Sequence, residues 1–376
     1  MLVLTEDQNL LKSAAAAFLG VEAPVAALRR LRDASTGLDY DKSLWCKIAD
    51  QGWQGILIDE IHDGSNFGLV GAAVVCEEMG RCLTAAPLVA ALMASVAMRQ
   101  AVPTLAKLWL PRIATGKAIL VCAVDEGRKH APDHITLSTT RTTTGWVLNG
   151  IKSAIPDGDS ADGFIVAARS SNSDNPSDGI SLFLVEAQAA GVITRRVTTA
   201  DSRSLTALQF EGVEVTREQL IGPLNRGFPA LDAVLDVGRL AIAAELSGIA
   251  QEVFARTLDY LKQRKQFGRP LSSNQALQHR MSHLYSEIEV LKSVVLAAAQ
   301  AGEVNLHGAK LLISAAKAKA VYVSRLAVSE AVQLHGGIGM TDELDIGLFM
   351  KRARVAAELW GDEYFHLNRF ADMEGF

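Results

Sequence analysis

The chain has 376 residues, 49% hydrophobic and 21% charged, with 37 Lys plus Arg against 42 Asp plus Glu for a net charge of −5. That balance excludes a generally basic nucleic-acid-binding protein, and the apolar share excludes a mostly disordered one. At roughly 150 residues per domain, the length predicts about two or three folding units with a core large enough for an enzyme.

Four cysteines, Cys46, Cys76, Cys82 and Cys122, form no C-x-x-C pair. They are too few for a disulfide framework and too scattered for zinc, which fits reduced thiols in a cytosol. The opening MLVLTEDQ places acid before any base and leads into an amphipathic pattern, unlike a signal or transit peptide. The longest apolar run, Leu88 to Met98, is shorter than the roughly 18 residues needed to span a bilayer. A cytoplasmic protein without a membrane span is the expectation.

Thr5 and Gln8 read as a capping box, because a hydroxyl and an amide three residues apart can each satisfy the other's backbone N–H. A helix follows, with Leu11, Ala15 and Phe18 on one face. The pattern stays helical through about residue 118, broken by the turn at Gly64 to Gly68 and by Pro87, Pro103 and Pro111. Residues 1–118 are therefore expected to form a helical domain.

The texture changes at Ile119. ILVCAV, ITLSTTRTTTGWVLNG, FIVAAR, SLFLVE, VITRRV and LTALQF are short β-branched or alternating runs that predict strands. Asn149-Gly150 and the polar stretch Ser170 to Gly179 supply turn chemistry between them. Residues 119–222 are expected to form a compact β domain.

Long helices return from Phe228, giving a third domain over 223–376. Leu277, Met281, Leu284, Ile288, Leu291 and Val295 alternate steps of four and three, as do Ile313, Ala316, Ala320, Val323, Ala327, Ala331 and Leu334. The small residues of the second stripe predict closely approaching axes in an antiparallel bundle, with apolar surface left for subunit contacts. The fold class is α+β, in the order helical, β, helical.

Two segments could carry chemistry. QLHGGIGM, Gln333 to Met340, follows a long helix, and its glycines would let a pyrophosphate approach the backbone. Taken alone it reads first as a helix C-cap followed by a loop. QRKQFGRPL, Gln263 to Leu271, sets Arg264, Lys265 and Arg269 around Phe267, which suits a phosphate and a flat ring. In isolation a solvated helix end explains it too.

Together, in this order, these segments resemble the acyl-CoA dehydrogenase family of FAD flavoproteins. Further matching stretches are ADQGWQGILIDE, CEEMGR, LPRIATGKAI followed by AVDE, WVLNGIKSAI, ADGFIVAAR, LQFEGVEV, IGPLNRGF, GRLAIAAELSGIA, NQALQHRMSHL and QLHGGIGMTDE, so the likeness covers nearly the whole chain. The resemblance implies a helical N-terminal domain, a central β-barrel-like domain and a C-terminal four-helix bundle, assembled as a homotetramer or as a heterotetramer with a related chain. It implies FAD as cofactor, an acyl-CoA substrate, and an electron-transfer flavoprotein or similar acceptor. Carried over by position, Arg264 and Phe267 grip the pyrophosphate and adenine end from one subunit and Gln275 lies near the adenosine. Gln333, Gly336 and Gly337 come from another subunit, while Val124 and Asp125 meet the flavin pyrimidine. The implied chemistry is α,β-dehydrogenation to a trans-2-enoyl-CoA, with one carboxylate taking the α proton and hydride leaving to flavin N5.

The chain departs from the family where the base belongs. The two usual positions fall on Gly361 and Gly238, leaving Asp362 and Glu358 as candidates, with Glu245 and Asp236 beside the second position. Asp362 is the first choice. The usual T-E-P-x-A-G-S-D turn is replaced by Asp125 to His134, and the aromatic expected over the flavin by Ala154, with Pro156 two residues on. His130 and His134 on that turn are expected to be solvated or at the substrate rim, and no metal site is expected. The missing bases also admit a flavin-binding but base-lacking subunit of a mixed tetramer. A non-redox scaffold subunit, or another flavin reaction such as oxygenation, is a further reading.

Overall fold

The computed structural model describes residues 2–34, 37 and 39–376. The first helices are α1 (Glu6–Glu22), α2 (Val25–Asp33), α3 (Lys42–Asp50), α4 (Leu69–Cys82), α5 (Leu88–Met98) and α6 (Pro103–Ala114). The strands that follow are β1 (Leu120–Ala123), β2 (Ser138–Arg141), β3 (Gly145–Pro156), β4 (Gly163–Arg169), β5 (Ile180–Glu186), β6 (Val192–Thr198), β7 (Ser204–Thr216) and β8 (Leu220–Ile221). Then come α7 (Phe228–Gln263), the short strands β9 (Lys265–Gln266) and β10 (Arg269–Pro270), α8 (Gln275–Asn305), α9 (Lys310–His335), α10 (Ile346–Glu358) and α11 (Glu363–Glu374). No single described helix is long and apolar enough to cross a membrane.

Local chemistry accounts for the helix starts. The Gln8 N–H donates to Thr5 Oγ1 (3.2 Å) and the Thr5 N–H to Gln8 Oε1 (3.0 Å), closing the capping box of α1. Asp41 caps α3 by accepting from the N–H groups of Ser43 and Leu44. Pro103 opens α6, where its missing N–H has no intrahelical partner to lose. Pro111, expected to break the chain, instead lies inside α6. It removes only one helical hydrogen bond, the one to the carbonyl of solvent-exposed Lys107, which water can reach.

Packing divides the chain into two compact units. One takes the residues through Arg30, Leu69–Thr84 and Arg239–Phe376; the other takes Leu31–Gly68 and Ala85–Gly238.

The second unit is built on an eight-stranded sheet of order β6-β7-β3-β2-β4-β5-β8, with β1 parallel to β4. β4 and β5 are buried along almost their whole length, as their continuous apolar runs require. Phe164, Phe183 and Phe210 are shielded from solvent almost completely, each contributing about 1.5–3 kcal/mol of burial. β6 is an exposed edge carrying Arg195 and Arg196, which discourages pairing with another chain. Asn149-Gly150, expected to be a turn, lies within β3, where the register against β7 shifts between Leu148 and Gly150. The pair makes a bulge, and Asn149 Oδ1 accepts the N–H of Gly212 over 2.8 Å. The reversal comes earlier, at Thr142 to Thr144, where the Thr142 N–H meets the Gly145 carbonyl at 2.9 Å.

In the first unit α9 is central, with α8, α10 and α11 all packed on it. Both apolar stripes are buried as their spacing predicts: Met281, Leu284, Ile288, Leu291 and Val295 on α8, and Ile313 through Leu334 on α9. α4 crosses α7 at bare backbone. A methyl on Gly80 would stand 2.1 Å from the Glu245 carbonyl oxygen, and one on Gly248 would stand 1.9 Å from that of Glu77.

Candidate active site

α7 leads into a solvent-exposed hairpin. β9 and β10 pair antiparallel around Phe267 (φ 52°) and Gly268 (φ 82°), a two-residue turn with both residues left-handed. The Leu271 N–H donates to the Arg264 carbonyl at 2.9 Å, folding the hairpin back. Phe267 is 100% exposed. The Arg264 guanidinium is also exposed and meets no acceptor among the described residues. Gln275, the first residue of α8, is exposed nearby in sequence.

Gln333 is exposed in the last turn of α9, and Gly336 closes that helix. At Gly336 and Gly337 an added methyl would meet nothing within 4 Å. The chain carries this patch and the hairpin at neighbouring helix ends. Tyr260 O–H donates to the His335 carbonyl (3.3 Å), and the two rings stack with centroids 4.3 Å apart. A free guanidinium, open glycine backbone, an exposed amide and a bare aromatic ring form a donor set suited to a dianionic pyrophosphate and an adjoining flat base.

In the sheet unit, Val124 is buried and its carbonyl accepts from Lys152 Nζ at 2.9 Å. Lys152 also reaches Glu126 Oε1 at 2.7 Å. Burial pushes the Lys152 ammonium down to about 8, against the pull of Glu126. Burial alone would raise Glu126; the charge and hydrogen bond of Lys152, with bonds from Thr136 and Leu137, outweigh it and hold the carboxyl below its usual range. His130 is not solvated: its side chain is 4% exposed, and Nδ1 donates to Asp125 Oδ1 at 2.8 Å. A carboxylate five residues upstream draws the imidazole inward. His134 is exposed, as expected. Ala154 sits at φ 55° in the irregular stretch of β3 between Lys152 and Ile155.

The carboxylates near the expected base differ sharply in availability. Glu358 is a solvent-exposed partner of Arg354 at 3.2 Å. Glu245 is buried and held by Arg352, with Nε to Oε1 at 2.6 Å and NH2 to Oε2 at 2.9 Å. Asp236 is fully buried. Asp362 is half-buried and caps α11, Oδ1 accepting the Phe365 N–H at 2.8 Å, while Oδ2 has no hydrogen-bond partner among the described residues. Gly361 stands at φ 110°.

Basic groups that sequence reading passed over surround this corner. Lys317 on α9 is fully buried, its Nζ donating to the carbonyls of Ala357 (3.0 Å) and Gly361 (2.8 Å). Arg239 Nε donates to the Trp360 carbonyl at 3.2 Å. The sequence signal for Lys317 was available: it lies four residues after Ile313 and three before Ala320, on the apolar stripe of α9.

A surface cleft of about 570 Å³ in the sheet unit, lined by Gln100, Arg141, Thr143 and Arg217 among others, contains none of the expected site residues. Among the described residues no three His, Cys, Asp or Glu side chains are grouped to hold a metal ion.

Three family profiles match consecutive stretches of the chain: "Acyl-CoA dehydrogenase, N-terminal domain" over residues 5–117, the "middle domain" over 126–213 and the "C-terminal domain" over 225–373. The long-chain specific acyl-CoA dehydrogenase of Sus scrofa mitochondria is 32% identical over 84% of this chain and 75% of its own length. Acyl-CoA dehydrogenase IpdE2 of Mycobacterium tuberculosis is 30% identical, covering 94% of this chain and 93% of that protein. Among solved structures, a variant of the Tcur3481-Tcur3483 steroid ACAD superposes with a TM-score of 0.88 at 29% identity, covering 98% of each chain.

Proposed function

Because this chain belongs to the acyl-CoA dehydrogenase family, we propose that it binds FAD and dehydrogenates an acyl-CoA thioester between its α and β carbons, with Asp362 as the base. Members of the family are FAD-dependent oxidoreductases. When bound, the flavin supplies the hydride acceptor for the β hydrogen. Everything else falls to the protein: holding the dinucleotide, placing the thioester, excluding water and receiving the α proton on a carboxylate.

The observation that carries this reading is the sorting of the four candidate carboxylates. Glu245 is tied up by Arg352, Asp236 is fully buried, and Glu358 is paired in solvent. Asp362 alone of the four combines partial burial with an oxygen that has no hydrogen-bond partner among the described residues. Its capping bond fixes the side chain's orientation, and a preset orientation is what proton abstraction from a bound thioester requires.

The cofactor is held, on this reading, by Arg264 at the pyrophosphate, Phe267 against the adenine and Gln275 near the adenosine of one subunit, with Gln333, Gly336 and Gly337 of another adding side-chain and backbone donors. Val124 and Asp125 face the pyrimidine edge. Bare Phe267 fits an arrangement in which a second chain covers the hairpin, as in a tetramer. Electrons leave to an electron-transfer flavoprotein or similar acceptor. The likeness to a steroid ACAD makes bulky, ring-bearing thioesters substrates to test beside straight-chain ones.

The test is anaerobic. Purified protein should be yellow and bleach on mixing with butyryl-CoA, octanoyl-CoA or a steroid side-chain CoA thioester. Asp362→Asn should keep its flavin and lose bleaching. Unchanged bleaching in that variant would remove Asp362 as the base. Flavin bound only after co-expression with a related chain would instead support the mixed tetramer, which the glycines at 361 and 238 also favour.

A further inference from the structure

Three basic side chains from three helices converge on one backbone corner. Arg239 of α7 and His366 of α11 both donate to the Trp360 carbonyl, each at 3.2 Å. Lys317 of α9 donates to the next carbonyl, Gly361, at 2.8 Å, and to Ala357 in the last turn of α10 at 3.0 Å. All three side chains are fully buried. Withdrawing a charged group from water costs several kcal/mol, and apolar packing would join two helices at less cost. An ammonium ion in this place is therefore poorly explained by stability alone.

We propose that Lys317 is a positioning residue for Asp362, fixing the Gly361 carbonyl and with it the peptide that delivers the neighbouring carboxylate. The proposal rests on the reading of Asp362 as base. Gly361 and Asp362 share a peptide unit, so gripping the carbonyl sets the plane from which the Asp362 side chain departs. The far side of Asp362 is fixed by its cap on Phe365. Between them the two contacts leave the carboxylate little freedom to swing. Lys317 is also electrostatically coupled to Asp362 and Glu358.

The grip depends on the charge of the ammonium. Burial, followed by the neighbouring Arg239 guanidinium, pushes Lys317 down to about 7, with Glu358 and Asp362 opposing. Titratable His366 and charged Arg369 of α11 also lie at this corner, the latter donating to Ser314 Oγ at 2.9 Å on the preceding turn of α9. A neutral amine can still donate to two carbonyls, but without charge assistance those bonds weaken.

In the wild-type protein, the rate of flavin bleaching by whichever thioester is active should fall about tenfold as pH rises through neutrality, the factor expected for loss of charge assistance. Lys317→Met should keep its flavin, react slowly throughout and show no such step. Lys317→Arg, permanently charged, should remain fast across the range. In flavin-free protein the Asp362 backbone amide resonance should move with the same midpoint and stay still in Lys317→Met. A wild-type profile flat through neutrality overturns the proposal without any variant. So does a Lys317→Met protein that is less stable yet keeps the step. Failure of the parent reading is distinct, because Asp362→Asn would then bleach normally.

Discussion

Phe365 occupies the space that a side chain on Gly361 would need: a methyl there would stand 2.4 Å from its Cδ1 and 2.9 Å from Nε2 of His366. The residue also lies at φ 110°, a conformation that side chains disfavour. Placing a carboxylate here by Gly361→Glu should therefore destabilise the protein by about 2–4 kcal/mol through strain and overpacking. It should not raise the bleaching rate. Adding Phe365→Ala should recover part of the loss, and a double-mutant cycle on unfolding would read the coupling.

Two buried lysines make stability depend on pH just above neutrality. Lys317 is lowered to about 7 and Lys152 to about 8, from an ordinary 10.5. Between the lowered value and 10.5 the unfolded chain keeps a proton that the folded chain has released. The unfolded state then binds more protons, so stability rises with pH in that window. Below pH 9.0, before the thiols of Cys76, Cys82 and Cys122, raised above that ordinary value, act in the opposite sense, thermal unfolding midpoints should climb from neutrality, and Lys317→Met should flatten the climb. Glu126 works at the other end: its lowered carboxyl adds stability above 4.5 that is lost as pH falls below it.

The Glu245–Arg352 pair joins α7 to α10 through two short contacts inside the helical unit. Glu245→Ala would leave the guanidinium buried without its carboxylate, at a cost of about 3–5 kcal/mol. Replacing both partners with apolar residues should cost much less. Unfolding of the two variants, measured side by side, separates the value of the pair from the penalty of breaking it.

Phe267 touches so little that Phe267→Ala should change the stability of the isolated chain by no more than about 0.5 kcal/mol. Bound flavin and native mass should both fall in the same variant. Arg264→Ala should lose flavin while leaving the fold intact. Retention of a full flavin complement by both variants would move the dinucleotide elsewhere.

Much of the architecture is legible in residue order because it depends on short-range patterns. The stripe from Ile313 to Leu334 had to be buried once α9 formed, and Thr5 and Gln8 specify a helix start by themselves. The misreadings share a cause: a residue with a strong local preference was overruled by its neighbours in space. Asn149-Gly150 became a bulge because β7 continues past it, and His130 turned inward because Asp125 offered an acceptor. Nothing in the spacing of Lys317, Ala357 and Gly361 says that an ammonium and two carbonyls will meet across 40 and 44 residues of sequence. Buried charge is settled by tertiary partners, which periodicity does not encode.

Where α4 passes over α7, each helix presents a glycine to the other's carbonyl, Gly80 to Glu245 and Gly248 to Glu77. Such reciprocal notches work like a half-lap joint in carpentry: sliding either rod by one residue drives a side chain into the opposing backbone. The two helices must then travel as a single beam. The α7 stretch carrying Glu245 and Arg239 thereby inherits its alignment from an element far earlier in the chain, and a single alanine at either notch should disturb the Trp360 corner without touching it.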